Sequence, residues 1–212
     1  MKVVFDHLHG YVKDDKIFCE AFAIPEGETE EQLLELGFLP NYQPSIYWYQ
    51  CQSCRINSEK VILSGNREKL LSQLEIEVVP YSENKKEVDL FYEDYFIRKG
   101  FDIMKYYISN SSYDDLKVMK VKLGDVVVAY TRFREFENVL LALEISFIDI
   151  ELKFSLGKDS ILLLSNYGKT QGKNYLYIYE SYKDYFPYKL QITGVEFWEG
   201  EKWVDPTIYS HD

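Results

Sequence analysis

Residues Val139 to Leu164, VLLALEISFIDIELKFSLGKDSILLL, constrain the fold more than any other stretch of the chain. Val139 to Phe147 is an apolar run of β type and reads as a buried strand. An acidic turn, Asp149-Ile150-Glu151, follows it. Then Phe154-Ser155-Leu156-Gly157 opens an apolar helix. A buried strand that feeds a Ser/Gly turn at a helix start can hold an anion. The first N–H groups of the helix have no internal partner, and the helix dipole favours negative charge there. The ordinary account of the same residues is a strand–helix joint with Ser155 as the N-cap.

The chain around this joint alternates between both element types. Residues 1 to 24 read as one or two short strands, and Pro25-Glu26-Gly27 ends them. Thr29 to Gln32 has the capping-box form, with Leu33, Leu34 and Leu36 behind it and Gly37 as the stop. Asn41 to Pro44 reads as a turn, Ile46 to Gln50 as a strand and Arg55 to Leu63 as another. Ser64 caps a helix through Arg67, Leu70, Leu71 and Leu74, and Glu75 to Val79 is β-like. Tyr81 to Val88, with SENKKE at its centre, is polar and is the expected boundary between lobes 1–80 and 81–212. Asp89 to Lys99 has Leu90, Phe91, Tyr95 and Phe96 at helical spacing, and a second helical piece is expected from Asp102 to Ile108. Leu116 to Leu123, Val126 to Phe133 and Val139 to Ile150 read as an antiparallel meander. After the Ser155 helix come a strand at Tyr175 to Tyr179 and a hairpin about Glu199-Gly200.

Bulk properties narrow the classes. At 212 residues the chain has ample length for a core. Its net charge of −11 argues against broad electrostatic binding to nucleic acid, though not against a local basic groove. No apolar run approaches the ~20 residues of a membrane span, and the start Met1-Lys2-Val3-Val4-Phe5 lacks a signal-peptide core, so a cytoplasmic protein without membrane partners is expected.

Helix, helix, three strands, helix, strand, loop, strand is an order that fits a GNAT-type acyltransferase, an α+β fold. In such enzymes the cofactor's pyrophosphate sits at the start of the helix after the central strand. The usual Gly-rich acetyl-CoA loop is missing, and Lys153-Phe154-Ser155-Leu156-Gly157 stands in its place. Upstream, Cys51-Gln52-Ser53-Cys54 is a knuckle of metal-ligand type. With His7 and His9 it would make a four-ligand site, and Cys19 could replace one member. Two thiolates and two imidazoles suit tetrahedral zinc, and an iron–sulfur cluster less naturally. The ordinary account is two reduced cysteines at a strand end.

Three blocks together resemble the arginyl- and leucyl-tRNA–protein transferases. The first is Glu31 to Phe38 (EQLLELGF) with Tyr47 to Ile56 (YWYQCQSCRI), followed by Ser64 to Leu74. The second is Ser146-Phe147-Ile148-Asp149 with Ser155-Leu156-Gly157 and Ile161-Leu162. The third is Gly172 to Tyr177 (GKNYLY) with Tyr188-Lys189 and Trp203. Leu90 to Tyr95 with Arg98-Lys99 adds a fainter match. The sequence departs from the family pattern at His9-Gly10-Tyr11-Val12, where cysteines are usual, and at Ile150, where proline is usual.

The resemblance implies a GNAT-type domain with a small N-terminal Cys/His lobe. It implies transfer of an amino acid, Leu or Arg, from aminoacyl-tRNA to the α-amine of an acceptor protein N-terminus that begins with an acidic residue. No cofactor is required for that chemistry, and a zinc ion or iron–sulfur cluster would sit in the N-terminal lobe. An aminoacyl ester is already activated, so the enzyme mainly orients a neutral amine and stabilises the oxyanion. On this reading Asp149 is the base or amine-orienting group, with Ser155 and Tyr188 beside it as catalytic residues. Gly157, Lys189, Arg98 and Tyr177 bind substrate, Lys189 or Arg98 pairing the acceptor's acidic side chain. His7, His9, Cys51 and Cys54 are the metal set. Two other classes stay open: a GNAT enzyme that uses acyl-CoA on a small amine, and a non-catalytic binder of N-termini or tRNA.

Overall fold

The meander expected from Leu116 onward is present as β7 (Lys117–Leu123), β8 (Val126–Glu135) and β9 (Val139–Phe147). Gly124, at φ +59°, makes the first tight turn. The computed structural model describes residues 1–13, 16–40, 47–101, 113–149, 154–180 and 188–206, with the side chains of 5–13, 16–20, 180 and 190 excepted. The expected turn at 41–44, the helical piece at 102–108, Ile150, Lys153 and the side chains of His7, His9 and Cys19 therefore lie outside the described residues.

After β9 the chain forms helix α4 (Leu156–Thr170) and returns as β10 (Tyr175–Glu180), parallel to β9. The sheet has eight strands in the order β12-β11-β5-β10-β9-β8-β7-β6. Its other members are β5 (Ser53–Asn57), β6 (Glu75–Pro80), β11 (Val195–Trp198) and β12 (Trp203–Val204). β5 lies between β10 and β11, antiparallel to both. A smaller antiparallel sheet runs β1-β2-β4-β3, from β1 (Lys2–Lys13), β2 (Lys16–Ile24), β3 (Phe38–Pro40) and β4 (Trp48–Gln50).

Alternation along the central strands sorts the core into two faces. Leu140, Leu176, Ile178 and Ile56 pack with Ile161 and Leu164 of α4. Leu141, Tyr177 and Tyr179 face the other way, toward Leu33 and Leu34 of helix α1 (Glu30–Glu35) and toward Leu39 and Trp48. Each fully buried aliphatic side chain contributes roughly 1.5–3 kcal/mol. The Thr29/Gln32 capping box is formed at both bonds. Helix α2 (Gly65–Leu71) is capped by Ser64, whose Oγ accepts from the Arg67 N–H at 3.3 Å.

The polar stretch expected as a boundary is not a linker. It is the first half of helix α3 (Tyr81–Lys99), which ends at Gly100 in the left-handed conformation. Tyr81, Val88 and Tyr92 are buried against Val118 and Tyr130, while the run Ser82 to Glu87 lines the outer side. Three buried side chains suffice to fix a helix whose other faces are polar. Strands from both sides of residue 80 share the large sheet, since β5 and β6 belong to it. Among the described residues no helix is long and apolar enough to cross a membrane.

Candidate functional site

The two parallel strands part company soon after they meet. β9 and β10 pair at Val139–Tyr175, Leu140–Leu176 and Leu141–Tyr177, and there the register ends. Each strand carries a bulge just beyond that point. On β9, Arg132 and Phe133 of β8 pair with Glu144 and Ala142, leaving Leu143 as the extra residue. On β10, Tyr177 pairs with Arg55 and Glu180 with Ser53, so Ile178 and Tyr179 face a single residue of β5. Tyr179 takes φ +61°, the one non-glycine residue with positive φ among those described. A bulge bends its strand and re-aims side chains, and left-handed backbone at a bulky residue stores strain of roughly 1–3 kcal/mol.

The parting opens a cleft of about 260 Å³. Ala142 to Ile145 of β9 and Ile178 and Tyr179 of β10 form its sides, and Ile161 of α4 lies between. Tyr95, Phe96 and Phe101, from the end of α3, form an aromatic wall. Their rings pack edge to face, and Tyr95 also meets Phe147 at 5.1 Å. Burial pushes the Tyr95 hydroxyl up to about 12, with Tyr188 and Asp149 adding to the shift. Tyr188 is raised by burial too.

Two charged side chains line this apolar space. Glu144 pairs with Arg132, which is buried beneath it against the Tyr92 ring. Lys189 is 8% exposed, and its ammonium donates to the Ile178 carbonyl at 2.7 Å, on the bulge itself. A carboxylate and an ammonium facing one small cleft are what an amine-plus-carbonyl reaction needs.

A second cavity, of about 520 Å³, adjoins the first at Tyr188, which lines both. This groove is polar. Ser64 and Arg67 of α2 face Ser155 and Lys158 at the start of α4, with Gln191 and Thr193 completing the rim. The N–H groups of Leu156, Gly157 and Lys158 have no partner within the helix. Ser155 is exposed and makes no side-chain cap bond, so the ordinary N-cap account of its hydroxyl does not hold. Gly157 lets α4 approach the strand end, because a Cβ there would lie 3.2 Å from the Phe147 ring.

Of the residues singled out in the sequence, Tyr188 and Lys189 line the cleft, and Ser155 lines the groove. Three others are placed differently from expectation. Asp149 is exposed at the end of β9, bonded to Lys99 at 2.7 Å and Arg98 at 2.9 Å. The Lys99 bond, with Arg98 behind it, lowers its pKa, and Asp149 is not among the residues that line the cleft. Arg98 is committed at all three nitrogens, with Asp94, Asp149 and the Phe147 carbonyl as acceptors, which holds it in the joint between α3 and β9. Tyr177 lies on the opposite sheet face, because neighbours on a strand alternate. Its hydroxyl joins Arg55 and Glu35 at 3.3 and 3.2 Å in a network that ties α1 to the sheet. Tyr179, two residues on, borders the cleft at the bulge, while its side chain packs in the same cluster as Tyr177.

The two cysteines of the knuckle are buried thiols in separate apolar clusters. Cys54 packs with Ile56 and Ile178, and Cys51 with Leu33 and Leu39. The side chains of His7 and His9, the other two members of the expected metal set, lie outside the described residues. Among the described residues no group of three or more His, Cys, Asp or Glu is arranged to hold a metal. Glu144, Arg132, Tyr95 and Tyr179 were not legible as site residues, since no local motif marks a bulge without glycine.

No protein-family model matches the sequence, and neither does any curated protein. Solved structures do. FemX aligns over 85% of this chain and 69% of its own, with a TM-score of 0.52 and 11% identity. The L-PGS structure from Bacillus licheniformis aligns over 60% of this chain and 44% of its own, with a TM-score of 0.44 and 15% identity. A GCN5-related N-acetyltransferase from Kribbella flavida aligns over 72% and 54%, with a TM-score of 0.43 and 9% identity. The chain spans about half the length of these last two structures. At such identities the likeness is one of fold, carried by the FemX alignment: the chain has the mixed α+β, GNAT-type fold.

Proposed function

We propose that the protein is an aminoacyltransferase that takes an amino acid from charged tRNA and joins it to an amine, the α-amine of a protein N-terminus beginning with Asp or Glu. The observation that carries this reading is the continuity at Tyr188 between a polar groove and an aromatic cleft. An aminoacyl ester on an RNA end has the same two parts, a phosphate-bearing nucleotide and an apolar or amphipathic acyl group. The FemX likeness, which concerns the fold, places no obstacle to it.

In this reading the nucleotide lies in the groove and the ester carbonyl at the cleft mouth. Glu144 receives the ammonium of the incoming amine and takes its proton. The amine nitrogen attacks the ester carbon, the new C–N bond forms, and the C–O bond to the ribose breaks as that oxygen gains a proton. An N-terminal amine with pKa ~7.7–8.0 needs little help to lose a proton near neutrality. Lys189, which lines the cleft with its ammonium beside the Ile178 carbonyl, is the cation assigned to the acceptor's acidic side chain. Asp149 keeps the end of α3, and with it the aromatic wall, against the end of β9.

A second reading is kept by the same groove, which would also take the diphosphate of coenzyme A. Acyl-CoA-dependent transfer to a small amine then replaces transfer from tRNA. Ligand-induced thermal stabilisation separates them. Leucyl- or arginyl-tRNA raises the melting temperature on the first reading, while acetyl-CoA does not. Stabilisation by acetyl-CoA alone replaces the first reading with the second.

A further inference from the structure

The groove contains a charge pair that the cleft chemistry does not use. Arg67 lines the groove with its side chain 24% exposed. Among the described residues its guanidinium makes one hydrogen bond, from Nη2 to Oδ1 of Asp159. A guanidinium carries five N–H donors, so most of this one's capacity is unspent. Asp159 is wholly buried in the first turn of α4, where the helix dipole favours its charge. Its Oδ2 has no partner among the described residues. A buried carboxylate with one strong partner fixes that partner's position, because swinging away would strand the charge.

Arg67 is thus held by a buried anchor at the wall of a cavity that also offers Lys158, Ser64, Ser155 and the first N–H groups of α4. A planar fork with open donors reads two oxygens of one phosphate at once. We infer that Arg67 is the phosphate-binding residue of the groove and that Asp159 is the positioning residue that aims it, the ligand being the phosphate of an adenosine nucleotide. This rests on the transferase reading for the nucleotide, whose sources are the 3′ end of an RNA and the diphosphate of coenzyme A. The pair also ties α2 to α4, so the groove forms only where the two helix starts meet. That explains how an acidic chain can take an anion at one place.

The test is equilibrium binding to the full chain across a salt series, with two probes: an uncharged RNA hairpin ending in CCA, and acetyl-CoA. For the RNA arm, Arg67→Met weakens binding roughly tenfold or more and reduces the log–log salt slope by about 0.7, the value for one phosphate contact on a single strand. Arg67→Lys keeps the slope and loses part of the affinity, because charge remains and the fork does not. Asp159→Asn weakens binding with the slope retained, and Asp159→Glu restores part of it. If the Asp159 variants do not fold, the two Arg67 variants decide alone.

A purely structural clasp predicts a lower melting temperature for Arg67→Met with affinity and slope unchanged, and that result overturns the inference. So does the absence of binding of either probe by the unaltered protein. Arg67-dependent binding of acetyl-CoA without RNA supports the phosphate role and removes tRNA as donor. Arg67-dependent RNA binding in a protein that transfers nothing supports the inference while defeating the transferase reading.

Discussion

Single side chains decide the chemistry of the cleft. Glu144 and Lys189 are its charged groups, and they are predicted to fail in different ways. Glu144→Gln lowers kcat by roughly 10²- to 10⁴-fold, the usual worth of a positioned proton acceptor. Lys189→Met leaves transfer in place but narrows the preference for an acidic first residue by roughly 10- to 100-fold, as expected for loss of a charge-assisted bond. Both are read from steady-state rates with peptides beginning in Asp and in Ala. At a distance from the cleft, Gly37 supports α1. It sits at φ +77°, and a Cβ there would lie 2.4 Å from the Trp198 ring. Gly37→Ala is predicted to cost about 2–4 kcal/mol, from left-handed strain plus overpacking, measured by urea unfolding. Gly37 was legible as a helix stop. Its contact with Trp198, 161 residues away in the chain, was not, because no local pattern reports a partner brought in by the sheet.

Elements carry the site because of how they end. Strand β9 was legible from its apolar run and α4 from the Ser/Gly joint, and both formed with bounds close to those expected. The parting of β9 and β10 was not legible. It depends on two bulges, at Leu143 and at Ile178-Tyr179, and each is set by the register of a neighbouring strand. The stretch expected as a boundary, Tyr81 to Val88, lies within α3 for a related reason. Polarity alone does not separate a linker from a helix face, and the buried Tyr81, Val88 and Tyr92 that settle it are spaced too widely to stand out. Gly157 tests the joint directly. Gly157→Ala is predicted to change stability little, since a gain of about 1 kcal/mol in helix propensity offsets a tight contact with Phe147. Gly157→Val pushes that ring toward Tyr95, and is predicted to cost about 1–3 kcal/mol and to raise KM for the donor, checked by thermal melts and donor titration.

Across the whole molecule, the 19 tyrosines are more than rim residues. Tyr92 and Tyr95 are pushed up to about 12, chiefly by burial, and Tyr81, Tyr113, Tyr167 and Tyr188 are raised as well. A tyrosine whose folded pKa exceeds its unfolded value near 10 keeps its proton in the native state after the unfolded chain has lost it. Stability is therefore full below pH ~10 and falls as pH rises toward 12. Tyrosinate absorbance should lag the normal titration and then rise together with loss of circular dichroism. The mixed α+β order was legible because each element carried its own period and caps. The joining of β5 between β10 and β11 was not, since it crosses more than a hundred residues of chain. That insertion brings Arg55 onto the rings of Tyr175 and Trp203, at 3.8 and 4.3 Å, and within reach of Glu35 and Glu196. The molecule thereby buttresses β10 from behind while its front edge opens into the cleft. The central claim, that this cleft moves an amino acid from RNA to an amine, is tested most directly by one transfer experiment. Labelled leucyl- or arginyl-tRNA is incubated with an Asp-initiated peptide and either the unaltered protein or its Glu144→Gln variant. The account predicts label on the peptide α-amine with the unaltered protein and its near loss with the variant. Transfer from neither donor, or transfer indifferent to Glu144, would contradict it.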